Sequence, residues 1–167
     1  SPSDTPAQTS LNDGRQIEAG LKFQANVAGE ITALKFYRSA SDTGQNVLDL
    51  WTATGTKLAS ATFTNTAASG WQTVTLATAV SIAANTTYVA SYHTTGAYVA
   101  TDNFFTSAVT NGPLTAPASG NGVFRYGGTS TSGVFPNRAS KGTNFFADVV
   151  FRPSTSNTAP MAIADTA

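Results

Sequence analysis

The body of this 167-residue sequence carries seven acids: Asp13, Glu18, Glu30, Asp42, Asp49, Asp102 and Asp148. Cleaving a glycosidic bond needs two carboxylates facing each other across it, one usually with a raised pKa. No two of the seven stand in a recognisable pair, and most lie in turns where Asp caps backbone N–H groups. His93 is the single histidine and there is no cysteine, which excludes a thiol nucleophile, a disulfide framework and a multi-histidine zinc site. A Ser-His-Asp triad would have to use His93, yet no G-x-S-x-G elbow is present. These residues point away from an enzyme.

Binding is the better reading of the remaining chemistry. Flat rings stack on pyranose faces while Arg, Asn and Asp hydrogen-bond hydroxyls. The candidates are Trp71, Tyr98, Arg125, Tyr126, Phe135 and Asn137, with Trp51 expected to pack in the core or at an edge. Trp71 heads a strand after Ser69-Gly70 and plugs the end of the fold or stays partly exposed. A Phe in a Gly-rich loop, such as Phe135, more often anchors that loop than touches a ligand. His93 closes the run TYVASYH and is expected to hydrogen-bond at the strand end or to contact ligand.

Calcium needs only oxygen ligands, and Asp42 and Asp102 supply them on loops. Neither matches the spaced acids of an EF-hand, and turn capping explains both without an ion. Asp148 lies between Phe146 and Val150 in an apolar run. A buried carboxylate there would need a partner, with Arg38 or Arg125 the natural ones.

The elements that position these residues are strands. There are 27 Thr and 27 Ala but only two Glu, and 11% of residues are charged against a usual ~25%. β-Branched Thr favours strands, and so few Glu and Lys leave little for solvated helix faces. Nine Lys+Arg balance nine Asp+Glu, so no basic field exists for nucleic acid or an anionic membrane. No apolar run approaches the ~20 residues of a membrane-spanning helix. No charged-then-apolar leader opens the sequence, so no signal peptide is expected within it.

Strand-like runs recur at 18–25, 30–39, 47–52, 57–64, 71–80, 87–93 and 145–151. Ala53-Thr54-Gly55-Thr56 makes 47–52 and 57–64 a hairpin candidate. The last run reads as a strand buried on both sides. Residues 96–133 hold glycines, two prolines and short aromatic islands, a long loop of the kind that carries function. Residues 1–12 read as a linker or lead-in, 13–152 as one domain, and 153–167 as a linker toward a following module. About eight strands with short connections predict an all-β, antiparallel β-sandwich of jelly-roll-like form. Leu34, Phe36, Val74, Leu76, Val149 and Phe151 should share its core.

The ordered strings LKFYRSASDTG (34–44), LWTATGTKLASATFTN (50–65), SGWQTVTLATAVSIAANTTYVASYH (69–93), NGPLTA (111–116), GNGVFRYGG (120–128) and FFADVVF (145–151) resemble the bacterial family termed domain of unknown function 4082. The resemblance spans about residues 13–152. It implies an extracellular β-sandwich module set among other domains of a long secreted or surface protein, with no settled activity. Residues 157–165 (NTAPMAIAD) are similar to the opening of bacterial cadherin-like tandem repeats, or form a plain Ala/Thr linker.

The expectation is a non-catalytic binding module for polysaccharide or cell-surface glycan, with contact at the loops bearing Tyr98, Arg125, Tyr126 and Phe135. Neighbouring domains of the same chain are the other expected partners. The alternative is a structural or adhesive spacer without a small ligand. No cofactor is required, a Ca²⁺ ion being the one cofactor considered.

Overall fold

The computed structural model describes residues 4–118 and 120–155. Among them the chain runs through thirteen strands and one short 3-10 turn. The strands are β1 (Gln8–Asn12), β2 (Ile17–Ala25), β3 (Gly29–Arg38), β4 (Asn46–Thr52), β5 (Lys57–Phe63), β6 (Gly70–Ile82) and β7 (Tyr88–Thr94). They continue as β8 (Ala97–Ala100), β9 (Val109–Asn111), β10 (Leu114–Ala116), β11 (Val123–Tyr126), β12 (Arg138–Ala139) and β13 (Ala147–Pro153). One sheet runs β12-β11-β2-β7-β4-β5, with the β9–β10 hairpin attached to β2; a second is β13-β3-β6, and β1 pairs β8. Every pairing is antiparallel, and the two main sheets pack as a β-sandwich.

Alternation along each strand sets the core. Ala19 and Phe23 of β2, Leu48 and Leu50 of β4, and Ala90 and Tyr92 of β7 face inward from the large sheet. Leu34 and Phe36 of β3, Leu76 of β6 and Val149 of β13 meet them, with Val74 and Phe151 packed against the same cluster. The six expected core residues therefore share one core. Phe36 is the hub, 5.1 Å from the Tyr92 ring and 5.5 Å from Phe63. Ile31 and Leu34 are three apart and would point to opposite faces of a regular strand. An irregularity in the β3–β6 register between Ile31 and Ala33 turns both inward.

Three segments differ from the sequence expectation. Gln8–Asn12, read as lead-in, forms β1 against β8, because pairing at an edge uses backbone groups and only Leu11 reaches the core. β13 is not buried on both sides: it is the outer strand of its sheet, and Val150 is 39% exposed. The stretch 96–133 carries four short strands in place of one long loop. The cadherin-like string at 157–165 lies outside the described residues.

Candidate functional site

The outer face of the large sheet holds a buried polar cluster. The same alternation that sends Ala19, Leu50 and Tyr92 inward sends Glu18, Asp49, Ser91 and His93 outward. Glu18 stands opposite His93, and Asp49 opposite Ser91. The Ser91 hydroxyl donates to Glu18 Oε1 at 2.5 Å and accepts from Trp51 Nε1 at 2.9 Å. Lys57 Nζ lies 3.0 Å from Asp49 Oδ1 and 4.7 Å over the Trp51 ring. Glu18, Asp49 and His93 have no exposed surface.

Residues 127–137 roof this cluster. Gly133 sits directly over the two carboxylates: a Cβ there would lie 2.1 Å from Asp49 Oδ2 and 2.5 Å from Glu18 Oε2. Gly128 needs its positive φ of 83°, and its own Cβ would meet the His93 ring at 2.9 Å. Phe135 fastens the roof by packing edge-on against Trp51 at 5.6 Å. Gly133→Ala should therefore cost about 1–3 kcal/mol, seen as a lowered melting temperature, because neither carboxylate has room to retreat.

Burial pushes the Glu18 carboxyl up to about 8; the Ser91 hydrogen bond opposes this and the Asp49 charge adds to it. Burial also holds His93 below its ordinary value, against the pull of Asp42 and Asp49. Neither His93 ring nitrogen has a hydrogen-bond partner, so the expected strand-end hydrogen bond is not made. With no exposed surface, His93 cannot contact a ligand in this structure. The pairing of Glu18 with Asp49 escaped the sequence reading. They are 31 positions apart on strands separated by β7. The available signal was an acid at an alternate position of two strands whose other face is core.

At the surface, Tyr98 and Tyr126 come together. Both hydroxyls donate to Asp13, Tyr126 at 2.6 Å and Tyr98 at 3.1 Å. Burial, then Asp13, pushes the Tyr98 phenol up to about 12, and the Asp13 hydrogen bond raises that of Tyr126. The two rings line a groove of about 230 Å³ together with Leu11, Asp13, Asp102 and Phe124. Beyond Tyr126 lies a cleft of about 380 Å³ bounded by Arg15, Arg125, Tyr126, Asn137 and Arg138. The Arg15 guanidinium stacks 3.7 Å from the Tyr126 ring centre. Among the described residues no acid lines this cleft, and none of its three arginines makes an ion pair.

A family profile described as domain of unknown function (DUF4082) matches residues 3–147. The chain belongs to that family. No curated protein matches it. The family's extent agrees with the fold, since the match takes in β1 at one end and reaches the start of β13 at the other.

Of the other residues singled out in this DUF4082 domain, all but Asn137 have structural employment. Trp71 donates from Nε1 to the Asp4 carbonyl at 3.0 Å and packs edge-on against Tyr37. It lines a separate apolar cleft with Phe104, Phe105 and Leu114, away from Tyr126. Phe135 anchors the roof loop. Asn137 is exposed on the arginine cleft. The buried Asp42 accepts from Asn46 Nδ2 at 2.6 Å and from the Gly44 N–H, and its Oδ1 lies 3.8 Å from Arg38. A cation at Asp42 would meet that guanidinium. Asp102 accepts from Thr143 Oγ1 at 3.0 Å. Among the described residues no three His, Asp or Glu side chains are grouped as metal ligands. Asp148 pairs with neither Arg38 nor Arg125: half-buried at a sheet edge, it accepts the Val149 N–H at 2.8 Å.

Proposed function

We propose that this domain is a non-catalytic module that binds acidic polysaccharide, serving a larger secreted or surface protein of a bacterium. The observation that carries the reading is the cleft at Tyr126. Arg15 from the β1–β2 turn, Arg125 from β11 and Arg138 from β12 converge there with Asn137, without an ion pair among the described residues and without a lining carboxylate. A guanidinium presents five donors in a planar fork that matches a carboxylate, and Arg is the side chain suited to planar, bidentate recognition. The adjoining groove adds the rings of Tyr98 and Phe124, apolar surface of the kind that suits a sugar ring. In this reading Arg125 holds a uronate carboxylate and Tyr126 lines the sugar's seat.

Hydrolysis has no place in the proposal. Glu18 and Asp49 are the carboxylates that come together, and Gly133 closes over both of them. A glycan array displaying uronate-containing and neutral chains, with and without Ca²⁺, tests the proposal. Retention on the uronate chains, independent of Ca²⁺, is expected. Binding to no glycan would leave the domain a spacer or adhesive module and overturn the reading.

A further inference from the structure

The buried cluster under the 127–137 roof has the arrangement of a condensation site. Asp49 is fully buried, neither of its carboxylate oxygens makes a hydrogen bond of good geometry, and the Lys57 amine stands 3.0 Å from Oδ1. Glu18 Oε2 is equally without a hydrogen-bond partner and faces the same point at Gly133 as Asp49 Oδ2. Trp51 and Phe135 wall the pair on one side, and Lys57, at 32% side-chain exposure, leaves one path to water. A fully buried carboxylate whose oxygens lack hydrogen bonds is costly to keep charged. The 3.0 Å contact to Oδ1 puts the amine beside the carboxyl carbon it would attack, the kind of proximity that favours intramolecular reaction.

We propose that Lys57 and Asp49 join in an intramolecular isopeptide bond, with Glu18 as the proton relay. Lys57 Nζ passes one ammonium proton to the Asp49 carboxylate beside it and, as the free amine, attacks Asp49 Cγ and forms the C–N bond. One Asp49 oxygen leaves as water. Of the three ammonium hydrogens one stays on the amide nitrogen and two depart in that water, so ammonium and carboxylate give amide and water with no outside reagent. Glu18 donates a proton to the departing oxygen and recovers one from Nζ, ending unchanged. Its carboxyl, held protonated by burial well above the usual carboxylate range, has that proton at neutral pH. The product fastens β5, the outermost strand of the large sheet, to β4. It also removes the buried Asp49 charge together with that of Lys57.

Intact mass and tryptic mapping of the purified domain decide the matter. The expected mass is that of the sequence less one water. Trypsin should fail at Lys57 and leave residues 39–125 as one peptide, because Arg125 is the next basic residue. Lys57→Arg keeps the charge and should restore the full mass. Glu18→Gln, folded by its circular dichroism, should retain the water or lose it far more slowly. A folded wild-type domain at full sequence mass, cleaved at Lys57, overturns the proposal. So does a missing water that maps elsewhere with Lys57 still cleaved. Complete reaction in the Glu18→Gln domain overturns the relay.

Discussion

Replacing Arg38 by methionine lowers the stability of the domain by about 3–5 kcal/mol, the usual consequence of breaking a buried charge network from one side. Arg38 is 1% exposed and ends β3. Its Nε donates to Asn46 Oδ1 at 3.1 Å, and Nη1 donates to the Thr66 and Ala68 carbonyls at 3.1 and 2.7 Å. Nη2 serves the Asp42 and Gly44 carbonyls, and the Asp42 carboxylate stands beside it. One guanidinium thus holds the 39–46 loop and the 66–68 turn to the end of the sandwich. Methionine fills the volume but leaves four carbonyls and a buried carboxylate without their partner. Urea denaturation of the two proteins measures the loss; a difference under about 1 kcal/mol would mean that these loops bind the sheet by other contacts.

Between pH 6.5 and 8 Glu18 takes about 2 kcal/mol from the stability of the domain, and Glu18→Gln removes that slope. The folded-state pKa of Glu18 is raised from 4.5 to about 8, so across that interval the folded protein holds a proton that the unfolded chain has released. Stability contributed by the neutral carboxyl is complete below about 4.5 and lost as pH rises toward 8. His93 works in the opposite sense. Its lowered pKa makes stability rise with pH up to the unfolded value of 6.5, so the two slopes oppose one another below that point. The His93 slope fades over the next pH unit, and above about 7.5 that of Glu18 remains. The groups around it are Ser91, Asp49, Lys57 and the Val134 N–H, but burial is the largest cause and persists whether or not Asp49 keeps its charge. Chemical denaturation at half-unit pH steps gives the slope. A wild-type domain flat from 6.5 to 8 would show that Glu18 is hydrated when folded.

The strands were legible because their apolar residues alternate. EITALKFYR and VLDLW announce their inward faces, and the core follows from that alone. β1 was not legible, since its side chains are mostly polar and its structure comes from backbone pairing with β8. Nor was the exposure of β13, because an apolar string does not say whether a second neighbour strand lies beside it. At the site, Tyr98 and Tyr126 were read as ligand residues from their glycine-rich surroundings, and they do share a groove. Their common partner Asp13, and the companions Arg15 and Arg138, come from distant segments that only β1–β8 and β11–β12 pairing brings near. Glu18 with Asp49 is the same problem in the interior. Pairing across β7 is a property of strand order, which periodicity does not encode.

Arg125 is the clean probe of the binding cleft, its side chain being exposed and without a hydrogen bond or ion pair among the described residues, whereas Tyr126 also holds Asp13 and seats Arg15. Affinity electrophoresis through gels containing polygalacturonate compares the wild-type domain with Arg125→Ala. The wild type should be retarded, and the variant should lose at least about tenfold in affinity with an unchanged melting temperature, the equivalent of about 1.4 kcal/mol for one charge-assisted contact. A variant retarded as strongly as the wild type, or a wild-type domain that migrates as it does in a plain gel, would contradict the assignment of this cleft to acidic polysaccharide.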